Sequence, residues 1–282
     1  MTYECFEVTV EADVAHIVLC RPEKRNAMTK AFWDELPAIV RDIDDHARAQ
    51  VIVISSTGPH FSSGIDVSLF KDGFLSSDDP DPARAQAQHG AHLYATIKRL
   101  QATFSVLETC RVPVLAAIQG GCIGGGVDLI TACDMRYATE DAFVTIFEIN
   151  IGMTADVGTF PRIAKLIPDG IARELAYTGR RMGAAEAVQV GLVNRVFSDH
   201  KTMLEAVMTT AREIASKAPL AVFGAKRMMN HARDHTTAQS LDYIAIWNAS
   251  MLQTRDISEA MQANAEKRDG DFTTLPNIGR RD

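Results

Sequence analysis

The 282-residue sequence predicts an α/β fold that gives way to helix alone after about residue 198. Three observations carry that expectation. Short apolar runs of strand length, such as 51–55 (VIVIS) and 114–118 (VLAAI), recur up to about residue 150. Longer segments with apolar residues at three- and four-residue spacing lie between them, the pattern of a sheet with crossover helices. Beyond that point only helical spacing remains, over 200–217, 219–232 and 237–267. The chain therefore divides into a core over 1–198 and a helical region over 199–282, whose surface is the expected place of self-association.

Taken in order, 4–10 and 14–20 read as two strands turning at Ala12 and Asp13, a hairpin. Residues 21–28 (RPEKRNAM) form a polar turn, and Thr29 is placed to cap a helix over 30–46 in which Pro37 is awkward. The run 51–55 has no polar face and suits a sheet buried on both sides. The loop 58–66 follows a strand's C-terminal end, where ligand loops of α/β folds lie. Residues 71–83 are acidic with two prolines and read as a mobile surface loop. A long helix over 84–109 leads to the strand 114–118, and 143–146 is a further strand. Helices are expected over 160–167, 170–177 and 184–190, the last closed by Gly191, before a strand over 192–197. Residues 268–282 read as a loose tail.

The stretch 113–137 (PVLAAIQGGCIGGGVDLITACDMRY) organises the core as strand, glycine-rich turn, helix and strand. Five glycines clear side chains from the turn, so a ligand can approach backbone N–H groups closely. The helix beginning at Val127 has unpaired N–H groups and positive potential at its start, and Asp128 stands in its first turn. Two readings fit: an oxyanion hole beside a general acid or base, or a tight packing turn. Nucleotide loops do not fit. No Gly-Lys-Ser/Thr closes the glycine run, and Leu129 stands where a dinucleotide fingerprint needs its third glycine. Further on, 148–159 (EINIGMTADVGT) sets Glu148 and Asp156 in an apolar surround. Such a surround raises a carboxyl pKa toward the working range of proton transfer. The alternative is a capping Asp with a surface Glu.

Composition excludes several function classes. A formal net charge of −7 argues against a general nucleic-acid binder. Five cysteines without a CxxC pair suit a reducing compartment rather than a disulfide framework or zinc site. His89 and His92 share a helical face, but no partner has matching spacing, so no metal site is expected. No apolar run is long enough for a membrane span, and MTYECFEVTV has no signal-like character, so a cytoplasmic location is expected.

Several stretches together resemble the enoyl-CoA hydratase/isomerase (crotonase) superfamily: RPEKRNAM, FSSGID, PVLAAIQGGCIGGGVDLITACDMRYAT, TGRRMGAAEAVQVGLVNRVF and the APLAVFGAK helix start. They span nearly the whole chain in the family's order. The resemblance implies a crotonase-like spiral of ββα units and a C-terminal helical trimerisation region, with trimers that commonly pair into hexamers. It also implies an acyl-CoA substrate and no separate cofactor, CoA being part of the substrate. Motif matching assigns Ser62, Ser63, Gly64, Ile65 and Asp66 of FSSGID, with Gly125 and Gly126 of GGGVD, to substrate binding. The Ile65 and Gly125 amides would hold the thioester oxygen. Arg21, Lys24 and Arg25 could meet the CoA phosphates, or be a solvated turn.

Within the superfamily the chain is most similar to the Δ3,5-Δ2,4-dienoyl-CoA isomerases. Hydratases carry Glu at the positions of Asp128 and Glu148. The dienoyl isomerases carry Asp, then Glu, then a further Asp in ADVGT, and here all three stand, as Asp128, Glu148 and Asp156. The resemblance implies that these three acids are catalytic in moving the double bonds of a 3,5-dienoyl thioester to the 2,4 positions, a step of fatty-acid β-oxidation. The segment IFEINIG is less polar than the family's form, which bears on acyl-length preference. A hydratase, a 3,2-enoyl-CoA isomerase and a non-catalytic or RNA-binding member of the same fold are the alternative readings.

Overall fold

The computed structural model describes residues 2–70 and 81–279. Most of the acidic loop expected over 71–83 thus lies outside the described residues. Strands β1 (Phe6–Glu11) and β2 (Val14–Leu19) form the expected antiparallel hairpin. Its two turn residues, Ala12 and Asp13, both take positive φ (48° and 59°), the backbone twist that a two-residue hairpin requires. Helix α1 (Lys30–Asp45) follows. Thr29 holds its N-cap position with extended backbone, but its hydroxyl makes no cap bond and lies 3.4 Å from the Cys5 sulfur instead. Then come β3 (Val51–Ser56), α2 (Pro82–Thr109), β4 (Val114–Ile118), β5 (Gly121–Ile123), α3 (Gly125–Ala132), β6 (Met135–Thr139) and β7 (Phe143–Thr145).

The second half continues with α4 (Thr159–Ile163), α5 (Asp169–Thr178), β8 (Met182–Gly183), α6 (Ala184–Gln189), β9 (Arg195–Phe197), α7 (His200–Ala215), α8 (Pro219–Ala232), α9 (Thr237–Met251) and α10 (Thr254–Glu266). Four expectations need correction. The glycine-rich turn contains a strand, β5. The helix over 160–167 stops at Ile163, and the strand over 192–197 starts only at Arg195. The helix over 237–267 is two helices, parted where Leu252 and Gln253 take extended backbone. Apolar residues continue through the break, at Trp247, Met251, Leu252 and Ile257, so their spacing alone does not reveal it.

The main sheet has the order β1-β2-β3-β4-β6-β9, parallel after the hairpin. A small second sheet, β5-β7-β8, stands beside it. Period-two alternation divides the main sheet between two cores. Ile52, Ile54, Val114, Ala116 and Ile118 face the cluster closed by α1, α2 and α3. Val51, Val53, Leu115 and Ala117 face the other side, where Met203, Val207 and Ala211 of α7 cover them. Burial on both faces explains why VIVIS has no polar face. Beyond α7, helices α8 to α10 lie outward, and Leu241, Ile246, Leu252 and Met261 are exposed there. Among the described residues, no helix is long and apolar enough to cross a membrane.

Candidate active site

Two loops that end parallel strands are stapled together at the site. The loop after β3 pairs with β5: the Ser62 amide donates to the Gly121 carbonyl (3.1 Å), and the Ile123 amide donates to the Ser62 carbonyl (3.0 Å). Met28 pairs with the same loop on its other side. Its amide donates to the Gly64 carbonyl (2.8 Å), and its carbonyl accepts from the Asp66 amide (3.1 Å). In such a parallel bridge the partner residue between the two bonds, Ile65, turns its own N–H away from Met28. That N–H has no backbone acceptor among the described residues. Gly125 opens α3, so its N–H has no partner within the helix either. A Cβ on Gly125 would lie 3.5 Å from the Ile65 nitrogen, so the two free donors are neighbours.

Glycine is required here for close approach. Gly64 (φ +82°) leaves no room for a Cβ, which would fall 2.7 Å from the Ile123 carbonyl and 3.0 Å from the Gly125 nitrogen. Gly124 (φ +52°) brings the backbone against Glu148, whose Oε1 would stand 3.1 Å from an added Cβ. A Cβ added at Gly126 would instead lie 3.2 Å from the Cys122 sulfur and 3.5 Å from the Ser62 Cβ.

Polar groups brace the loops from behind. Ser62 is fully buried; its hydroxyl donates to the Asn26 carbonyl (2.9 Å) and accepts from the Gly64 amide (3.1 Å). It braces the loop that carries the Ile65 amide. The Asn26 side chain donates to the carbonyls of Thr57 (2.9 Å) and His60 (3.0 Å). His60 Nδ1 accepts from the Gly121 amide (3.0 Å). The half-buried Ser63 is held through its amide by the Arg25 carbonyl (2.9 Å). Asp66 accepts from the Ser68 amide (2.9 Å) in a turn of its own, which holds its carboxyl below the usual range, with smaller contributions from Arg21 and Lys24. Lys24 and Arg25 are exposed on the 3-10 turn beside this loop, and Arg21 faces Glu4 at 3.6 Å.

Three carboxyl groups converge on this corner. Asp128, in the first turn of α3, is 1% exposed. Its Oδ1 accepts from both the backbone N–H (2.6 Å) and the hydroxyl (2.8 Å) of Thr159. Burial first, and then the charge of Glu148, push its pKa up to about 7. Glu148 starts the 3-10 turn 148–151, and its Oε2 is buried without a hydrogen-bond partner among the described residues. Burial raises its pKa, and the nearby charge of Asp156 adds to the effect. Asp156, half-buried, is raised by burial too, and its carbonyl is held by Gln101 Nε2 (2.8 Å). Asp128 and Glu148 are coupled through charge; no hydrogen bond joins them among the described residues. Three carboxyls pushed upward beside two free amide donors can hold an oxyanion and move protons.

Two residues in this construction escaped sequence reasoning. Thr159 was legible only as the end of ADVGT, and its partner Asp128 is 31 positions away. Asn26, in RPEKRNAM, takes positive φ (52°), a conformation that Asn tolerates, and turn chemistry alone suggested no brace. His89 and His92 lie away from any metal cage: among the described residues no group of three or more His, Cys, Asp or Glu is placed to hold a metal.

Residues 9–275 match the family model described as Enoyl-CoA hydratase/isomerase. The chain belongs to the enoyl-CoA hydratase/isomerase family. The fold is that family's crotonase-type spiral. The chain is 46% identical over 278 residues to the mitochondrial Δ(3,5)-Δ(2,4)-dienoyl-CoA isomerase of Rattus norvegicus, covering 98% of this chain and 84% of that one. It is 41% identical to the peroxisomal isomerase of the same name from Arabidopsis thaliana, over 97% of this chain and 98% of that one. A Thermobifida fusca protein solved in complex with acetoacetyl-CoA superposes with a TM-score of 0.77 at 29% identity, over 88% of this chain and 94% of that one.

Proposed function

We propose that this chain is a Δ3,5-Δ2,4-dienoyl-CoA isomerase of fatty-acid β-oxidation. The observation that carries the reading is the second half-buried carboxyl, Asp156, coupled to Glu148 beside the two free amide donors. A hydratase or a 3,2-enoyl-CoA isomerase has no evident use for a third acid in that place.

The substrate is a 3,5-dienoyl thioester whose oxygen accepts from the Ile65 and Gly125 amides. Removal of a C2 proton moves negative charge onto that oxygen, and the amides stabilise the resulting conjugated trienolate. Losing one such donor typically costs ~3–4 kcal/mol of barrier. Glu148, ionised, takes the C2 proton. Asp156, protonated, gives one to C6, and the double bonds come to rest at C2 and C4. No electrons leave the substrate and no water is added, so the reaction needs no cofactor besides the CoA of the substrate itself. Asp128 tunes Glu148 through like-charge coupling. Lys24 and Arg25, exposed beside the donor loop, are placed to meet the CoA phosphates.

Helices α8 to α10, within the helical region 199–282, serve self-association into a trimer or a pair of trimers, through the apolar side chains that the single chain leaves exposed. The acidic surface takes no nucleic acid. The cytoplasmic location belongs to this proposal, although the matched relatives are mitochondrial and peroxisomal; recovery in an organelle fraction would correct it.

The test follows conversion of 3,5-octadienoyl-CoA by the absorbance of its conjugated 2,4-dienoyl product, for wild type and Asp156→Asn. Rapid turnover, abolished by the substitution, is the expected outcome. A folded wild type that leaves the dienoyl substrate unchanged but hydrates crotonyl-CoA would overturn the reading in favour of a hydratase. Turnover that survives the substitution would keep the reaction and remove Asp156 from its role.

A further inference from the structure

Asp128 is held by a residue from a different element. Thr159, the first residue of α4, is fully buried, and both of its donors converge on one oxygen of Asp128, Oδ1, at 2.6 and 2.8 Å. The other oxygen, Oδ2, receives nothing from Thr159. An oxygen that accepts two donors is a poor place for a proton, so the proton of the neutral acid is steered to Oδ2. From the convergence of the Thr159 amide and hydroxyl on this one oxygen, we propose that Thr159 is the positioning residue that fixes which oxygen of Asp128 carries the proton and how readily Asp128 ionises. The inference rests on the isomerase reading only for its kinetic consequence.

The surroundings of Asp128 bear this out from each element packed against it. Glu148, on the 3-10 turn, faces it as a like charge and pushes its pKa up. Cys122, on β5, is a fully buried thiol, itself pushed well up by burial. On α4, besides Thr159, the Arg162 guanidinium favours the ionised form. Arg162 cannot do so by contact, because its Nε and Nη2 are both taken by Glu108 of α2 (2.8 and 2.6 Å). Its Nη1 lies tucked under Gly158, where a Cβ would stand 1.7 Å from it. Gly158, at φ +141°, takes a backbone conformation that other residues rarely adopt, lets the guanidinium pass beneath the turn and leads into Thr159 at the start of α4. That leaves the two Thr159 groups as the direct donors to Asp128 among the described residues, and only one of them is a side chain.

The sign of the effect is fixed. A donor to a carboxylate favours the charged form, so removing it raises the pKa. One hydrogen bond to a charged acceptor corresponds to about one pH unit. The experiment labels aspartate carboxyls with carbon-13 and follows the Asp128 resonance, assigned by its loss in Asp128→Asn, through a pH titration. Thr159→Val keeps the shape and the backbone donor but removes the hydroxyl; the Asp128 titration should move up by about one unit. Thr159→Ser should restore it. In parallel, kcat for the dienoyl substrate should fall in Thr159→Val with KM nearly unchanged, and recover in Thr159→Ser. If Thr159→Val fails to fold, Thr159→Ala, which only removes atoms, gives the same readout. An Asp128 titration unmoved by loss of the hydroxyl overturns the inference. The titration needs no substrate, so an inert wild type would remove the isomerase reading and leave this test standing.

Discussion

The eight-residue helix α3 has a cluster of buried charge at each end, and the two are built on opposite principles. At its start stand Asp128, Glu148 and Asp156, three groups of one sign. Among the described residues Glu148 keeps a buried oxygen unpaired, and Arg162 gives its Nε and Nη2 to Glu108. Just past its end stands Lys226 of α8, whose ammonium meets Asp134 (2.9 Å) and the carbonyls of Leu107 (2.7 Å) and Val112 (2.8 Å). Asp134 in turn accepts from the Val114 amide (2.7 Å). There every donor has an acceptor, and the cluster fastens α8 to the sheet. Buried charge that is fully paired holds structure. Buried charge left under-paired, at a cost to folding, marks the place where chemistry is kept ready.

The comparison can be tested by unbalancing each end. The largest effect is expected from Glu148→Gln, which keeps shape but removes the base: kcat for the dienoyl substrate should drop by about 10³–10⁴ with the melting curve nearly unchanged. Near-normal turnover would place the base elsewhere. At the other end, Lys226→Met should leave kcat of the folded enzyme intact but cost about 3–5 kcal/mol in urea unfolding, because Asp134 and two carbonyls lose their donor. A kinetic defect without a loss of stability would mean that the two ends of α3 do not differ in this way.

Asp128→Asn reverses the sign. The folded-state pKa of Asp128 is raised to about 7 from an ordinary value of 3.8, so its ionisation opposes folding. That penalty is absent below about pH 4, grows as pH rises toward 7, and is fully present above it. The substitution should therefore stabilise the protein at pH 8, by up to ~4 kcal/mol, and hardly at pH 4. Thermal melts at the two pH values check this. A uniform loss of stability would mean that the charge is balanced after all. The smallest effect belongs to Gly124→Ala, with φ at +52° and Glu148 Oε1 3.1 Å from the new methyl group. About 1–2 kcal/mol of destabilisation is expected from urea curves, together with a shift of the activity profile on pH as Glu148 is displaced.

The sheet was legible because its signal is local. VIVIS and VLAAI are each buried on both faces, and a hairpin turn shows within two residues. The donor amides were legible through motif resemblance, since glycine spacing alone left a packing turn equally open. What the sequence did not disclose depends on distance along the chain. Which neighbour Gly125 and Gly126 each face, Ile65 or Cys122, is set by the fold and not by the glycine run itself. The grip of Thr159 on Asp128 joins residues that no period connects. The break between α9 and α10 was hidden because apolar spacing continues across it. The Ser62 hydroxyl bridges Asn26 and Gly64, and a hydroxyl between two loops carries no mark in the sequence of which way it points.

The stapling of the donor loop also has a temporal side. The bonds that fix it join residues 36 positions apart, between Ser62 and Asn26, and 61 apart, between Gly121 and His60. Contacts so distant along the chain form only after long loops have closed, which is late in folding. Until then the two amides have no fixed relation to each other or to the three carboxyls. A half-folded chain, whether newly made or recovering from denaturation, would therefore be inert toward thioesters. Recovery of turnover should trail the fluorescence of the buried Trp33, and activity then serves as a clock for the last stage of folding.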